Sequence, residues 1–503
     1  MVTAARKVVV IGGGVGGLVA AAHLAAGGAR VTLLERAPSV GGKMRVVEVD
    51  GRGIDAGPTV LTMRATLDEV FARAGRAIDD YVTLKPSSLL ARHAWADGSR
   101  LDLWADLERS VEAVGDFAGA AEARGYREFS AYARRIHEAV EGPFMRAQRP
   151  TVRSVVREQG LKGLASLARI DGARAMWKAL AGYFRDPRLL QLFGRYATYA
   201  GSSPWLAPAT LNVIAHVERE GVWLPDGGMS AVAKALERLC RELGVELRCG
   251  AEVAEVKVER GRVTGARLAS GERFEADAVV MNGDVGALAS GMFGAAAREA
   301  WSVDRRAGRS LSAMTVAAVA RHAGFPLARH TVFFSRDYAR EFDEIFARES
   351  LPSEPTVYVC AQDRDDLGAL EGAAEGDRER LFMIVNAPAR GGRRPFSSEE
   401  IARCESQTRA HLTRLGWDVD WADARSVTTT PDDFERMFPA TGGALYGPPS
   451  HGWRSATLRA PSRSRVPGLY LCGGSAHPGA GVPMVARSGM LAAQSALADL
   501  AST

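Results

Sequence analysis

Cysteines are few in this sequence, and their positions give no sign that they act together. Only five occur among 503 residues, and no close pair has the spacing of metal ligands. An odd, scattered set of this kind argues against both a disulfide framework and a zinc site. We therefore expect a metal-free protein that folds in a reducing, cytoplasmic environment.

A hydrophobic run long enough to cross a bilayer is also missing. Residues 8–29 are mostly small or apolar and follow two basic residues, as in a secretory signal peptide. Five glycines lie between positions 12 and 17, however, and they suit a tight turn better than a membrane helix. We interpret this stretch as part of the folded protein.

Several signatures of function are absent as well. We recognise no internal repeat, Ser-His-Asp set, paired carboxylates or metal-binding cluster in the sequence. The composition, 47% hydrophobic and 24% charged, is that of a folded globular protein. At 503 residues the chain is too long for one compact core, so two or three domains are expected.

Positive charge is concentrated in one segment. The formal net charge is +5, but residues 141–195 contain eleven Lys or Arg against four Asp or Glu. Apolar side chains such as Met176, Trp177, Leu180 and Phe184 interleave with these basic residues. A basic amphipathic helix can lie in an anionic lipid interface, and a domain helix with a solvated basic face is the alternative. Nucleic acid is not expected as a partner, because no recognition module accompanies the charge.

The N-terminal residues predict a βαβ unit. Residues 7–11 (KVVVI) have the apolar character of a buried parallel strand, and residues 29–34 predict a second strand. Between them, residues 15–26 predict a helix of small side chains that follows a glycine-rich turn. An acidic residue, Glu35, ends the second strand.

The turn has the glycine spacing of a dinucleotide-binding site. Gly12 permits the sharp turn, Gly14 lets a pyrophosphate approach the backbone, and Gly17 lets the helix pack closely on the sheet. The helix N-terminus offers free N–H groups to the phosphates, and Glu35 can accept hydrogen bonds from ribose hydroxyls. The motif alone does not separate FAD from NAD, and Arg36 leaves a 2′-phosphate partner open.

Three further segments favour a long, flavin-containing ligand. Glycines in residues 41–45 (GGKMR) and 55–59 (DAGPT) indicate backbone that runs close to a ligand. More than four hundred residues later, the predicted strand 469–472 leads through a glycine-rich turn to a helix that begins near Val482. The positive end of that helix can stabilise an anionic reduced flavin, and a plain glycine-rich loop is the alternative. We expect one split domain in which both ends of the chain hold the same cofactor.

These motifs make the sequence similar to the bacterial phytoene desaturase-type enzymes of the FAD-linked amine oxidase-like superfamily. The similarity runs through VVVIGGGVGGLVAAAHLAAGGARVTLLER, GGKMR, DAGPTV, GVWLPDGGMSAVAKAL and GLYLCGGSAHPGAGVPMVARSGMLAA, and it is least distinctive in residues 290–430. Residues 57–64 and 201–223 resemble most closely the hydroxyneurosporene, or 1-hydroxycarotenoid 3,4-, desaturases.

The resemblance implies FAD-dependent desaturation of an acyclic, hydroxylated carotenoid, with one non-covalent FAD, no metal and no nicotinamide. It also implies peripheral contact with membrane lipid on the cytoplasmic side, and it leaves the electron acceptor open between a quinone and oxygen. The residues implied to contact FAD are Gly12, Gly14, Val15, Gly16, Gly17, Glu35, Arg36, Gly42, Lys43, Met44, Arg45, Gly57, Pro58, Thr59, Val253, Gly474, Gly481, Val482, Pro483 and Met484.

The implied architecture is an α/β fold with a Rossmann-like FAD-binding domain that is split in sequence. We expect this domain to comprise residues 1–100, 225–290 and 440–503. Residues 101–224 are expected to form a helical region for substrate and membrane contact, and residues 291–439 a substrate-binding domain.

Desaturation removes a hydride and a proton from neighbouring carbons. FAD can take the hydride, and the polyene can spread the resulting positive charge, so the protein's tasks are positioning and exclusion of water. His477, beside the C-terminal turn, is a candidate for moving a proton, with a cap or loop histidine as the alternative. His216 and Glu218 are candidates for reading a substrate hydroxyl or, alternatively, are ordinary packing residues.

Other functions fit parts of the sequence. A carotenoid isomerase or an amine oxidase would share the FAD site. A non-catalytic flavin- or carotenoid-binding protein would bind its ligand without reducing the flavin. An NAD-dependent dehydrogenase would share only the N-terminal motif and would require stoichiometric nicotinamide.

Overall fold

A computed structural model describes residues 5–148, 170–303, 308–372, 377–452, 455 and 458–502. The α-helices are Val15–Ala26, Arg64–Arg73, Leu107–Ala118, Ala120–Val140, Met176–Leu180, Pro187–Gly194, Val213–Arg219, Ser230–Glu242, Val285–Ala289, Ala295–Arg298, Tyr338–Phe346, Ser398–Arg414, Pro431–Met437 and Val482–Ala501. The 3₁₀ helices are Ile78–Asp80, Arg195–Ala200 and Ala209–Asn212, and a π-helical turn spans Glu141–Met145. Among the described helices, none is long and apolar enough to cross a membrane.

A five-stranded parallel sheet brings distant parts of the chain together. The strand Lys7–Ile11 lies at its centre, because its apolar side chains are buried on both faces. In spatial order the strands are Leu469–Leu471, Ala278–Met281, Lys7–Ile11, Arg30–Leu34 and Glu246–Arg248. The N-terminal and C-terminal motifs therefore reach the same edge of one sheet.

The helices that follow the N-terminal and C-terminal motifs also pack against each other. The helix Val15–Ala26 packs against the C-terminal helix Val482–Ala501. Gly489 allows the close approach, since a Cβ atom there would lie 2.3 Å from the carbonyl oxygen of Gly16. The backbones of the first and last helices are therefore in direct contact.

A seven-stranded sheet forms a second layer. Its strands pair antiparallel except where His330–Phe333 runs parallel to Leu89–Ala94. In spatial order they are Arg425–Thr429, Ser312–Ala320, Glu379–Ala387, Val357–Ala361, His330–Phe333, Leu89–Ala94 and Arg100–Trp104. The antiparallel hairpin Val46–Val49 and Arg52–Asp55 packs against this sheet.

Smaller strand pairs complete the fold. An antiparallel three-stranded sheet consists of Val253–Glu259, Arg262–Leu268 and Arg273–Glu275. Two antiparallel strand pairs consist of Leu84–Pro86 with Trp223–Pro225 and of His322–Gly324 with Trp417–Val419. Both helices and sheets contribute throughout the described residues, which confirms the expected α/β class.

The helical region has a core of its own, rich in aromatic rings. Phe129 contacts Phe184 and Phe193 with ring centroids 5.4 and 4.9 Å apart. Met176, Leu180 and Phe184 are at most 1% exposed. Of the two interpretations, the lipid-facing helix is therefore wrong for Met176, Leu180 and Phe184, because these side chains pack into this core, as the alternative of a domain helix requires. The preceding part of that segment, 149–169, lies outside the described residues.

Candidate active site

One large cavity lies between the parallel sheet, the seven-stranded sheet and the helical region. Its volume is about 2000 Å³, and we divide it into two parts by the residues that line it. One part is lined by the glycine-rich motifs from both ends of the chain. The other is lined mainly by apolar side chains of the helical region, including Phe144, Met145, Leu211, Ile214 and Val217. We call these the dinucleotide arm and the apolar arm.

The glycine turn after the first strand is shaped by contacts within the protein. A Cβ atom on Gly17 would lie 2.0 Å from the carbonyl oxygen of Gly12, so only glycine lets the helix start this close to the strand. Gly12 itself has a φ angle of +97°. Gly14 lines the cavity, and a Cβ there would lie 3.1 Å from the Asn282 side chain.

Asn282 is the polar residue that braces this turn. It follows the buried strand Ala278–Met281, and its Nδ2 donates a hydrogen bond of 3.1 Å to the carbonyl of Gly12. It also lies against Gly16 and Gly473, so one side chain contacts both the N-terminal and the C-terminal motif. The sequence analysis missed Asn282, and the available signal was a polar residue directly after an apolar strand.

Glu35 is held with its carboxylate at the edge of the dinucleotide arm. One oxygen accepts from the backbone N–H of Gly13 at 2.6 Å, and the other accepts from Ala37 at 2.7 Å. Each carboxylate oxygen can accept further hydrogen bonds, so both remain suited to ribose hydroxyls. Arg36 lines the cavity, but its guanidinium donates to the backbone carbonyls of Arg436 and Met437.

The segment 41–45 contributes two half-buried cations. Lys43 donates from Nζ to the carbonyl of Leu445 at 2.6 Å, and burial lowers the pKa of its ammonium to about 8. Arg45 donates to the hydroxyl of Thr429 at 3.0 Å, and burial lowers the pKa of its guanidinium. Both cations line the cavity, where they can oppose the negative charge of a phosphate or a reduced flavin.

The segment 57–59 places a hydroxyl in the cavity wall. Gly57 lies so close to Lys43 that a Cβ would be 1.9 Å from the lysine carbonyl oxygen. Thr59 Oγ1 accepts a hydrogen bond of 2.8 Å from the Tyr358 hydroxyl, whose oxygen lies 2.6 Å from Nδ1 of His330. Burial lowers the pKa of His330 to about 3, so the imidazole is neutral at physiological pH.

The C-terminal motif closes the dinucleotide arm. The helix Val482–Ala501 begins beside the cavity, as expected, and its first residues Val482, Pro483 and Met484 line the wall. Arg459, which the sequence analysis also missed, donates to the carbonyl of Gly474 at 2.7 Å. Because Arg459 is enclosed in the protein, burial lowers the pKa of its guanidinium to about 10.

His477 lines the cavity but is engaged with the backbone. Its Nε2 donates to the carbonyl of Ala147 at 3.0 Å, which ties the C-terminal turn to the helical region. Burial lowers the pKa of the imidazole to about 4, so it is neutral at pH 7. A role of His477 in moving a proton stays a prediction. Its hydrogen bond to Ala147 gives it a second role, which is to hold the C-terminal turn against the helical region.

The residues predicted from the sequence are largely brought together. Gly16 and Gly17 do not line the cavity, because they face packed backbone and side chains instead. Those that do line it are Gly12, Gly14, Val15, Glu35, Arg36, Gly42, Lys43, Met44, Arg45, Gly57, Pro58, Thr59, Val253, Gly474, Gly481, Val482, Pro483 and Met484.

His216 and Glu218, named for a substrate hydroxyl, separate in the structure. Glu218 lines the cavity, whereas His216 is buried outside it, with Nε2 3.4 Å from Glu220. Glu218 accepts hydrogen bonds from the hydroxyls of Tyr196 and Tyr199, the latter at 2.9 Å. A buried Arg195 lies beside these groups, and the sequence analysis gave it no role.

The dinucleotide arm fits a flavin nucleotide. It combines a glycine turn at a helix N-terminus, an acid for ribose, two half-buried cations and a second helix N-terminus. Within the described residues, no group of three or more His, Cys, Asp or Glu side chains could hold a metal ion.

Comparison with known proteins gives relatives over the whole chain. Residues 15–497 match the family described as flavin containing amine oxidoreductases. Hydroxyneurosporene desaturase of Rubrivivax gelatinosus is 51% identical over 499 residues, which cover 99% of this chain and 94% of the relative. Hydroxyneurosporene desaturase of Cereibacter sphaeroides is 44% identical, and the match covers 99% of this chain and 98% of the relative.

The fold is shared with a solved structure that is distant in sequence. An oxidoreductase from Methanosarcina mazei superimposes with a TM-score of 0.61 over 96% of this chain and 99% of that one, at 16% identity. The resemblance stated from the motifs is thereby confirmed. This chain belongs to the flavin-containing amine oxidoreductase family, and hydroxyneurosporene desaturases are among its relatives.

Proposed function

We propose that this protein is an FAD-dependent desaturase that introduces a carbon–carbon double bond into an acyclic, hydroxylated carotenoid. The observation that carries the proposal is the continuity of the cavity, which joins the dinucleotide arm directly to the apolar arm. A polyene has few polar groups, so a long apolar arm is the surface that its chain requires. The identity of 51% to a hydroxyneurosporene desaturase supports the same substrate class.

When bound, FAD would supply the acceptor for the hydride. Gly14, Glu35 and the first turn of the helix Val482–Ala501, which line the cavity, would hold that cofactor. Side chains of the apolar arm align the polyene and exclude water, and this arrangement makes the reaction effectively intramolecular. Loss of hydride leaves a positive charge that the polyene delocalises, so the neighbouring proton can leave without a strong base.

We propose that the FAD-binding part of the chain is discontinuous, close to the boundaries expected from the sequence. The parallel sheet draws its strands from the first, middle and last parts of the chain, which supports residues 225–290 and 440–503. The strands Leu89–Ala94 and Arg100–Trp104, however, pair within the seven-stranded sheet. The proposed first stretch therefore ends near residue 83 rather than at residue 100.

Product analysis tests the proposed activity. Purified protein that is given an acyclic hydroxycarotenoid in liposomes should form a product two hydrogens lighter, with absorption shifted to longer wavelength. Under anaerobic conditions, addition of the carotenoid should bleach the flavin absorbance. A product of unchanged mass but altered geometry would instead indicate an isomerase, and a flavin that is never reduced would indicate a carrier.

We further propose that the basic segment 141–195 contacts anionic lipid on the cytoplasmic side. Met145 and Ile170, which flank the part outside the described residues, both line the apolar arm. Described residues on both sides of 149–169 thus line the cavity in which we propose that the polyene binds. The charge of the segment supports attraction to anionic headgroups.

Vesicle binding tests this contact. Replacing Arg153, Arg157 and Lys162 by alanine should abolish co-sedimentation with anionic vesicles, because it removes three positive charges from the basic segment. The matched control replaces three exposed arginines elsewhere, Arg273, Arg403 and Arg414. Equal binding of the two variants, or equal binding of the wild type to neutral and anionic vesicles, would contradict the proposal.

A further inference from the structure

A compact group of polar side chains interrupts the apolar arm. Arg195, Tyr196 and Tyr199 lie on the 3₁₀ helix Arg195–Ala200, and Glu218 lies on the helix Val213–Arg219. Their spacing on these two short elements turns the charged and phenolic ends toward one another. We call Arg195, Tyr199 and Glu218, which line the cavity, the polar cluster.

The charges of this cluster are deeply buried. Arg195 is 7% exposed and Glu218 is 4% exposed. Glu218 is satisfied by two phenol hydroxyls, and its nearby negative charge helps to raise the pKa of Arg195 above its ordinary value despite burial. Within the described residues, Nε of Arg195 has no hydrogen-bond partner.

Buried charges of this kind destabilise the fold unless hydrogen bonds replace the water that they lose. Removing a guanidinium and a carboxylate from water costs several kcal/mol per ion in real proteins, and well-packed apolar side chains often stabilise a fold as well. The surrounding wall is apolar, with Ile214 and Val217 on the same helix as Glu218. A hydrocarbon bound here would leave the polar cluster desolvated without adding any hydrogen bond.

The polar cluster is connected to the segment 57–59 through Tyr358. Tyr199 and Tyr358 pack against the same hydrophobic core, which contains Tyr196, and the Tyr358 hydroxyl donates to Thr59. Thr59 belongs to the segment that begins at Gly57 and follows the Lys43 cation in the cavity wall. The cluster and this segment both line the cavity, and we take these residues as the place where the two arms meet.

We propose that Arg195, Tyr199 and Glu218 bind a hydroxyl group of the polyene substrate and thereby hold the carbons next to that hydroxyl where the two arms meet. The inference rests on the proposed desaturase function. An alcohol can accept a hydrogen bond from the guanidinium and donate one to the carboxylate or to a phenol oxygen. A hydroxyl a few carbons from the end of the chain would then select both the substrate and the bond that reacts.

Recognition of this kind discriminates strongly. A site built to hydrogen-bond a hydroxyl rejects an analogue that lacks it far better than an apolar pocket rejects an extra methylene, because the buried polar groups are left unpaired. One hydrogen bond to a charged group contributes about 1.5–3 kcal/mol, which is about 10- to 150-fold in binding. The expected preference for a hydroxylated polyene over its hydrocarbon parent is therefore at least tenfold.

Paired substrates test the proposal. The kcat/KM of the FAD-loaded protein is measured with a 1-hydroxylated acyclic carotenoid and with its non-hydroxylated parent, in the same liposomes. Glu218→Gln and Tyr199→Phe should each lower kcat/KM for the hydroxylated substrate about tenfold or more while leaving the parent nearly unchanged. The preference between the substrates should therefore collapse in both variants.

A matched variant separates recognition from folding. Tyr126→Phe removes a phenol hydroxyl from the same helical core without touching the cavity, and it should preserve the preference. If Glu218→Gln and Tyr199→Phe lower activity equally on both substrates, the polar cluster is structural and the proposal is overturned. An unchanged preference in both variants would overturn it as well.

Binding without turnover provides a second measurement. Affinities of both carotenoids for the FAD-loaded protein are taken from quenching of flavin fluorescence, in wild type and in Tyr199→Phe. The variant should bind the hydroxylated carotenoid more weakly and the parent equally well. If the wild type desaturates neither substrate, the proposed function fails. If it desaturates both without preference, the proposed function stands and the hydroxyl-binding role fails.

Discussion

Single residues decide how closely a ligand can approach the backbone in the dinucleotide arm. The roles of Gly12 and Gly17 were predictable, because their spacing and the neighbouring strand and helix require glycine. The role of Asn282 was not predictable, because this side chain contacts Gly12 and Gly473, which are 461 residues apart in sequence. Arg195 was overlooked for a related reason, because an arginine in a basic segment gives no sequence signal of burial.

Gly14→Val should abolish FAD binding. Gly14 lines the cavity with its backbone, so a branched side chain would occupy the space that a pyrophosphate needs. Flavin content is measured from the absorbance of the purified protein. Gly115→Val is the control, because Gly115 lies within the helix Leu107–Ala118, where a Cβ meets nothing closer than 3.5 Å. A yellow, fully loaded Gly14→Val protein would refute the glycine-turn assignment.

His477 gives a prediction that separates holding from proton transfer. A glutamine at this position can still donate to the Ala147 carbonyl, whereas alanine cannot. If His477 holds the turn, His477→Gln should retain most of the rate with an unchanged pH profile, and His477→Ala should lose stability. If both variants lose about a hundredfold or more in kcat and the pH profile changes in His477→Gln, the histidine moves a proton.

At the scale of helices and strands, local pattern was a good guide where the element is apolar and bounded by glycine. The helix Val15–Ala26 and the strand Lys7–Ile11 have the predicted bounds. The surface against which an amphipathic segment packs was harder to predict. The pattern around Met176–Leu180 fits either a lipid-facing helix or a domain helix with a solvated basic face. A core of aromatic rings, assembled from distant residues, decides for the domain helix by burying its apolar side chains.

Gly489→Val should separate the first and last helices. A Cβ at Gly489 would lie 2.3 Å from the Gly16 carbonyl oxygen and 3.1 Å from the Ala20 nitrogen, so the backbones must move apart. Overpacking of this kind costs about 1–3 kcal/mol, and the shift should also weaken FAD binding. Urea unfolding and FAD titration measure the two effects. Ala498→Val, at an exposed position of the same helix, should change neither, and a stable Gly489→Val protein with normal FAD affinity would contradict the packing argument.

The whole molecule buries an unusual share of its imidazoles. Burial lowers the pKa to about 4 for His23, His216, His411, His451 and His477, and to about 3 for His93 and His330. An unfolded histidine titrates near 6.5. Between pH 4 and 6.5 the unfolded chain therefore binds more protons than the folded one, and acid favours unfolding.

Stability should accordingly fall as the pH is lowered from 6.5 toward 4. Glu341 acts in the opposite direction, because burial raises its pKa to about 7 and the folded carboxyl keeps its proton in this range. One carboxyl does not offset seven imidazoles, so the urea midpoint should decrease steadily across the window. Midpoints measured at half-unit steps check this, and a midpoint that stays flat or rises on acidification would contradict it.

The fold class was predictable at this scale, and so was the meeting of the N-terminal and C-terminal motifs on one sheet, because both motifs carry their own glycine spacing. The apolar arm was not, since its wall is assembled from the π-helical turn Glu141–Met145, the 3₁₀ helix Ala209–Asn212 and the seven-stranded sheet. Contacts between such distant and irregular pieces leave no periodic trace in the sequence.

The position of the strand Leu469–Leu471, at the margin of the parallel sheet beside Ala278–Met281, has a consequence for biosynthesis. Translation must pass residue 468 before this strand and the helix Val482–Ala501 can emerge from the ribosome. Until then, the nascent chain contains only the N-terminal half of the nucleotide site, and the apolar surface that the last helix covers is exposed. FAD therefore binds late in biosynthesis. A chain that is terminated before the strand Leu469–Leu471 would lack bound FAD and would be colourless.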